Sequence, residues 1–289
     1  MKTQKLIVLM TDFGNDFYVG QMKGVIRSIN PKVEIIDLCH NILPQNIIQA
    51  AVILHSSYRF FPSGTIFICV VDPGVGTKRE ILVVKTNGYL FIVPNNGIIT
   101  KIVETESHCK IYKVYNSDYF LKDVSNTFHG RDIFSPVAAY LSKGVRILSL
   151  CKLFHKDKLQ ILSELKPELI KLEGKKLFVG RYIFHDSFGN IVTNLSSELV
   201  DKTKITDYSL AIKYDNKIVF NLKFKTCYSD VNPGEFLVYL NSFGYVEVAV
   251  NKGSAYKTLG DKFRYLNKLQ FELSYEPNIK GKNYKTIQK

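Results

Sequence analysis

The sequence predicts an α/β protein in two parts: an N-terminal α/β domain with a mostly parallel sheet, and a smaller C-terminal antiparallel β-barrel or sandwich. Three observations carry this expectation. Up to residue 72, apolar runs of strand length alternate with segments of helical period, as in a parallel sheet covered by helices. Beyond residue 177, short strands separated by turn residues replace that alternation. Between the two, a Lys- and Glu-rich stretch of weak periodicity reads as a connector, so the boundaries are drawn at 1–152, 153–176 and 177–289.

The elements follow in order. Lys5 to Met10 is a short apolar strand running into Thr11-Asp12-Phe13-Gly14. The apolar-periodic segment Phe17–Ile29 is a helix stopped by Asn30-Pro31. A second strand, Val33–Leu38, precedes a helix through Asn46–Leu54, and a third apolar strand starts at Thr65 and ends at Asp72. Ile81 to Val93 reads as two strands joined at Asn87-Gly88, a pair suited to a tight turn with both residues at positive φ. A strand at Lys110–Tyr115 and a helix at Arg131–Ser142, capped by Gly144, complete the first part. The second part offers strands at Leu177–Phe184, Ser209–Tyr214, Lys217–Phe224, Phe236–Leu240 and Tyr245–Val250. The lysine-bearing end, Asn278–Lys289, is expected to be a mobile tail.

Composition narrows the function classes. The chain has 289 residues, 46% hydrophobic and 22% charged, enough to bury a large core without disulfide or metal staples. It has no apolar run long enough to span a membrane, and its first strand is too short for a secretory leader, so a cytoplasmic protein is expected. Five scattered cysteines without C-x-x-C spacing read as reduced thiols, and neither they nor the six histidines show metal-ligand spacing. The net charge of +13 raises a nucleic-acid partner. Its source is lysine spread along the chain, with no helix-turn-helix, finger or aromatic RNA-binding motif beside it, and solvated lysine is the better account.

The most informative segment is Val71-Asp72-Pro73-Gly74-Val75-Gly76-Thr77-Lys78-Arg79. An acid at the carboxyl end of a buried strand sits where open α/β sheets bind ligands, and the glycines let backbone approach a small molecule closely. Arg79 closes the loop and can fold back on Asp72. Asp-Phe-Gly at residues 12–14 is not a kinase signature, because a kinase needs its glycine loop and catalytic loop upstream. Asp12 is suited either to gripping a ribose diol or to capping the following helix. Phe128-His129-Gly130-Arg131-Asp132 is another loop entering a helix, with Asp132 as a helix-start acid. His129 there is either a structural hydrogen-bonding residue or part of a polar site shared with Asp72 and Arg79. His185-Asp186-Ser187-Phe188-Gly189-Asn190 combines an acid, an aromatic face and amides, and equally suits a plain turn. Asn241-Ser242-Phe243-Gly244 links two strands, and Asn251-Lys252-Gly253 follows a strand where free backbone groups could read an adenine edge.

Taken together, with Pro94-Asn95-Asn96-Gly97 between them, these motifs resemble the S-adenosyl-L-methionine (SAM) hydroxide adenosyltransferase family. These are adenosine-forming SAM hydrolases related to the bacterial fluorinase and chlorinase. The resemblance runs in order along nearly the whole chain. It implies a SAM-binding α/β domain, a C-terminal β domain and a homotrimer with sites between neighbouring subunits. By position it implies that Asp72, Arg79 and His129 handle water and that Asp12 grips ribose, with Phe128 a further substrate contact. Asp186 would meet the methionine amino group, Phe188 and Asn190 the adenine, and the backbone at Asn251 and Lys252 its other edge. Ser242 matches a position near the methionine end. Phe243 stands where the halogenases carry arginine, which leaves the carboxylate without an assigned partner.

The implied reaction is in-line displacement at ribose C5′ by water, giving adenosine and L-methionine. A sulfonium leaves as a neutral thioether, so only the nucleophile needs help, and no metal or organic cofactor is expected. The halogenases lack the Asp72/His129 pair, and a carboxylate beside the nucleophile favours water over halide. The alternatives are a halide-using SAM transferase and a slow-turnover SAM- or adenosine-binding regulator.

Overall fold

The computed structural model describes residues 6–172, 175–263 and 265–275; the expected tail at Asn278–Lys289 lies outside them. The chain divides into two compact units, one up to Leu162 and one from Ser163.

The first unit is built on β1 (Leu6–Thr11), α1 (Tyr18–Ile29), β2 (Glu34–Cys39), α2 (Ile47–Ser57), β3 (Ile66–Val70), β4 (Ile81–Lys85), β5 (Leu90–Pro94), α3 (Thr100–Thr105), β6 (Lys110–Val114), α4 (Ser135–Ser142), α5 (Ile147–Leu150) and β7 (Cys151–Leu153). Its sheet runs β2-β1-β3-β5-β4-β6-β7. Pairing is parallel across β2-β1-β3-β5 and antiparallel from there to β7, so the sheet is mixed. Both β1 and β3 are buried along their whole length, which is why they read as continuous apolar runs rather than alternating ones. Alternate residues feed opposite faces. Ile7, Leu9, Ile66 and Ile68 pack with Met22 of α1 and Val137 of α4, whereas Val8, Met10, Phe67 and Cys69 pack with Leu54 of α2 and Ile102 of α3. Thr11 pairs with Val70, so the loops leaving β1 and β3 start side by side.

Two local expectations change. The β4–β5 hairpin forms, yet neither Asn87 nor Gly88 takes a positive φ. The loop spans four residues, closed by Thr86 N donating to Tyr89 O (3.0 Å), and Gly88 O turns outward to accept from Gly64 N (2.6 Å). A wider loop removes the steric demand of a two-residue turn. The helix expected from Arg131 opens instead as a π-turn, Gly130–Phe134, where Ser135 Oγ also donates to Gly130 O (2.8 Å). Gly144 does end α4, at φ +92°.

The second unit contains β8 (Glu168–Leu172), β9 (Lys175–His185), β10 (Ile191–Ser196), β11 (Tyr208–Tyr214), β12 (Lys217–Lys223), β13 (Phe236–Leu240), β14 (Tyr245–Val250), α6 (Ala255–Lys262) and β15 (Gln270–Tyr275). They form one antiparallel sheet, β12-β11-β15-β9-β10-β14-β13, with β8 also on β9. A bridge from Phe224 to Val238 ties the two ends, giving a nearly closed barrel around Ile191, Leu210, Val246, Val248 and Phe271. β8, with Glu168 and Lys171 among its apolar residues, lies inside the stretch read as a connector, and β15, which alternates buried Phe271 and Leu273 with polar residues, was not expected.

Candidate active site

In the first unit, polar residues follow the carboxyl ends of β1 and β3. Asp72, two residues past β3, is 4% exposed and Arg79 9% exposed at the side chain. Arg79 Nε donates to Asp72 Oδ1 at 2.8 Å, and Nη2 closes on Oδ2 in a second contact. Burying either ion alone would cost several kcal/mol, and the two-point pairing offsets this. The loop is shaped to bring them together: Val75 N donates to Asp72 O (3.2 Å) and Thr77 N to Gly74 O (3.1 Å). Gly76 sits at φ +77°, and a Cβ there would run into the carbonyl oxygen of Asn126. That contact seats the Asp72 loop against the loop that carries His129. Asn96 Nδ2 donates to Val71 O at 2.8 Å and fixes the strand end from the other side.

His129 enters from the turn before α4. Its Nδ1 lies 3.0 Å from Arg79 Nη2. A guanidinium can only donate, so Nδ1 is the acceptor and the neutral ring carries its proton on Nε2. Burial lowers the His129 pKa, the Arg79 charge lowers it further, and Asp72 and Asp132 oppose both. The neutral imidazole is therefore favoured. Asp132 is fully buried; it takes Arg131 Nε at 2.6 Å and the backbone N–H of Ser125 at 2.8 Å. It braces the His129 loop rather than simply starting a helix.

Asp12 follows β1. It does not cap α1, whose N-cap is Phe17 with no side-chain bond; its Oδ2 accepts from Gln45 N at 2.8 Å. Thr11 Oγ1 bonds His40 Nδ1 (2.9 Å) and accepts from Phe13 N (3.2 Å), and Gly14 N donates to His40 O (2.7 Å). Those bonds set the loop that carries Asp12. Next to it Phe13, Tyr18 and Phe128 meet edge-on and tilted, with centroids 5.2–5.7 Å apart, and Arg131 lies over Phe128 at 5.1 Å. The structure thus brings Asp72, Arg79 and His129 into one contact network and puts Phe128 in an aromatic group with Phe13.

The remaining candidates belong to the second unit. The Asp186–Asn190 turn closes on itself: Asp186 Oδ1 accepts from Phe188 N and Asn190 N, and Oδ2 from Asn190 Nδ2, all at 2.9 Å. The plain-turn reading of this segment is realised, leaving spare lone pairs only on Oδ2. Phe188 at its tip is 77% exposed, an unsupported aromatic face. Gly189, at φ +81°, has no room for a Cβ because Ser254 packs there. Ser242 is exposed in the β13–β14 turn. The backbone of Asn251, expected to be free, is not: its N–H donates to Glu235 O (3.0 Å) and its carbonyl accepts from Gly234 N (2.7 Å). Lys252, at φ +55°, follows it.

Sequence reasoning passed over Glu247, and gave Asn96 and Asp132 no part in bracing the site. For Glu247 a signal existed: a lone carboxylate in the otherwise apolar run Tyr245–Val250. Among the described residues no group of three or more His, Cys, Asp and Glu is placed to hold a metal ion, and no helix is long and apolar enough to cross a membrane.

Comparison with known proteins identifies the family. Residues 7–151 match the SAM hydroxide adenosyltransferase N-terminal domain and residues 180–264 its C-terminal domain. A (R)-S-adenosyl-L-methionine hydrolase from Methanocaldococcus jannaschii is 31% identical, covering 88% of this chain and 91% of its own. A fluorinase from an Actinoplanes species is 26% identical, covering 85% and 91%. The crystal structure of an uncharacterized conserved protein from Thermotoga maritima superposes with a TM-score of 0.79 at 34% identity, covering 92% of this chain and 99% of that one.

Proposed function

The chain belongs to the SAM hydroxide adenosyltransferase family, and from that premise we propose that it hydrolyses SAM to adenosine and L-methionine. The relatives named as hydrolases of (R)-SAM support the substrate. The observation that carries the reaction is the buried Asp72–Arg79–His129 network.

Water attacks ribose C5′ in line with the C5′–sulfur bond; the O–C5′ bond forms as the C5′–S pair passes to sulfur, and methionine leaves neutral at that atom. The proton of the attacking water goes to Asp72. His129 is the weaker acceptor, because its Nδ1 lone pair is committed to Arg79, whereas Asp72 Oδ2 is buried with no hydrogen bond beyond its ion contact. His129 Nε2–H instead donates to the water and orients it. Arg79 holds both and stabilises developing hydroxide. A carboxylate this close to the nucleophile repels halide, which argues against the halide-using alternative despite the fluorinase relatives.

Asp12 grips the ribose hydroxyls, Phe128 flanks them, and Phe188 and Asn190 face the adenine with Lys252 on its other edge. Asp186 takes the methionine ammonium on Oδ2, and Ser242 lies at the same end. No cofactor takes part. The enzyme acts as a homotrimer with sites between neighbouring subunits, in the cytoplasm, where its five free thiols stay reduced. Chromatography of purified protein with SAM tests the reading: adenosine and methionine are expected, and methylthioadenosine or a methylated acceptor would refute it.

A further inference from the structure

We propose that Glu247 is a positioning residue for the amino-acid end of the substrate, shaping the turn that presents Ser242 and adding a second anionic group to that of Asp186; the inference rests on the SAM-hydrolysing reading above. On β14, Val246, Val248 and Val250 enter the barrel core, so Glu247 points to the opposite face. It is only 4% exposed. Its cross-strand partner Tyr239 donates its hydroxyl to Oε1, and Asn241 Nδ2 donates to Oε2 at 2.7 Å.

The bond to Asn241 sets which way that amide faces. With Nδ2 committed to Glu247, Asn241 Oδ1 accepts from Phe243 N (3.3 Å) and Tyr245 N (2.9 Å), and those bonds bend the chain around Ser242. On the other side Glu247 pairs with Val192 of β10, the strand that leaves the Asp186 turn. The titratable groups acting on Glu247 among the described residues are Tyr239, Asp186 and, through its 2.8 Å contact with Tyr239, Tyr228.

Nothing in the hydrogen bonding requires a charge here. A glutamine could accept from Asn241 and donate to Tyr239 equally well. Burial raises the Glu247 pKa and the charge of Asp186 raises it further, against the two hydrogen bonds. The buried Glu247 carboxylate and the half-buried carboxylate of Asp186 oppose each other until a cation arrives, and SAM brings an ammonium and a sulfonium.

The test compares the full chain with E247Q and E247L, reading kcat and KM for SAM and, by calorimetry, the affinities of SAM and adenosine. E247Q keeps the network and removes the charge. Its KM and its dissociation constant for SAM should rise about ten-fold while kcat changes by less than about two-fold. Adenosine, which lacks the amino-acid end, should bind as tightly as before. The rise in KM on acidification should be smaller in E247Q than in the native chain. Unchanged SAM affinity in E247Q, or an equal loss for SAM and adenosine, would overturn the inference; E247L, where it folds, should weaken SAM at least as much. The SAM titrations are run in an R79K background, where turnover is slowed, so they read affinity apart from hydrolysis, and absent adenosine formation by the native chain would count against the proposed reaction alone.

Discussion

Arg79 Nη2 lies 3.0 Å from His129 Nδ1, which makes a buried guanidinium the link between a carboxylate and an imidazole carried on different loops. Protonated His129 would turn Nδ1 into a second donor facing Arg79. Because its pKa is lowered by burial and by Arg79, kcat/KM should be flat at neutral pH. It should fall as pH drops through a midpoint below the ordinary histidine value of 6.5. The sign for stability is the same: the group's contribution is present above the unfolded pKa and lost as pH falls through the folded one. A pH–rate profile with its acid midpoint above that of free histidine would contradict this.

Lysine cannot replace Arg79. A single ammonium at the end of a flexible stem cannot meet both Asp72 oxygens and His129 Nδ1 as the planar fork does. R79K should retain the fold and lose kcat by about 10²-fold or more, with a smaller change in KM. Steady-state kinetics check it, and near-native kcat would mean that the three-way geometry is dispensable.

Gly76 is the sharpest backbone test. At φ +77° and pressed against the Asn126 carbonyl, it admits no side chain without parting the two loops. G76A should cost about 1–3 kcal/mol in denaturant unfolding and reduce kcat more than the same residue change at Gly20, where a Cβ meets nothing. Equal effects at the two glycines would remove the claim that loop seating positions the network.

Phe188 separates binding from folding. An aromatic ring 77% exposed contributes little to the core, so F188A should leave thermal stability nearly unchanged. If it stacks on adenine, KM for SAM should rise on the order of ten-fold. A fall in melting temperature with unchanged KM would assign the residue to structure.

Much of this was legible in the chain, for physical reasons that differ by element. β1 and β3 announce themselves as unbroken apolar runs because both faces are buried, and Asp72 stands out because it ends such a run. Arg79 folding back on Asp72 could be expected from a seven-residue glycine loop. The meeting of that loop with His129 could not, because it depends on Gly76 and Asn126 touching across fifty residues of sequence. Asp132 does stand in the first turn of a helix, as its position indicates, but local sequence cannot show that the chain turns back to offer it Ser125 N. The hairpin at Asn87-Gly88 forms as expected, but without positive φ at either residue, and Gly88 O accepts instead from the distant Gly64 N. Asn251 likewise looked free only while the strand opposite it was unknown.

The central claim is that a solvent molecule, placed by Asp72, Arg79 and His129, becomes the 5′-oxygen of the product nucleoside. Turnover of SAM in ¹⁸O-labelled water, followed by mass analysis of the nucleoside, tests it most directly. One labelled oxygen per adenosine, located at the 5′ position, is the predicted result; unlabelled adenosine, or a 5′-halogenated nucleoside in chloride buffer, would contradict it.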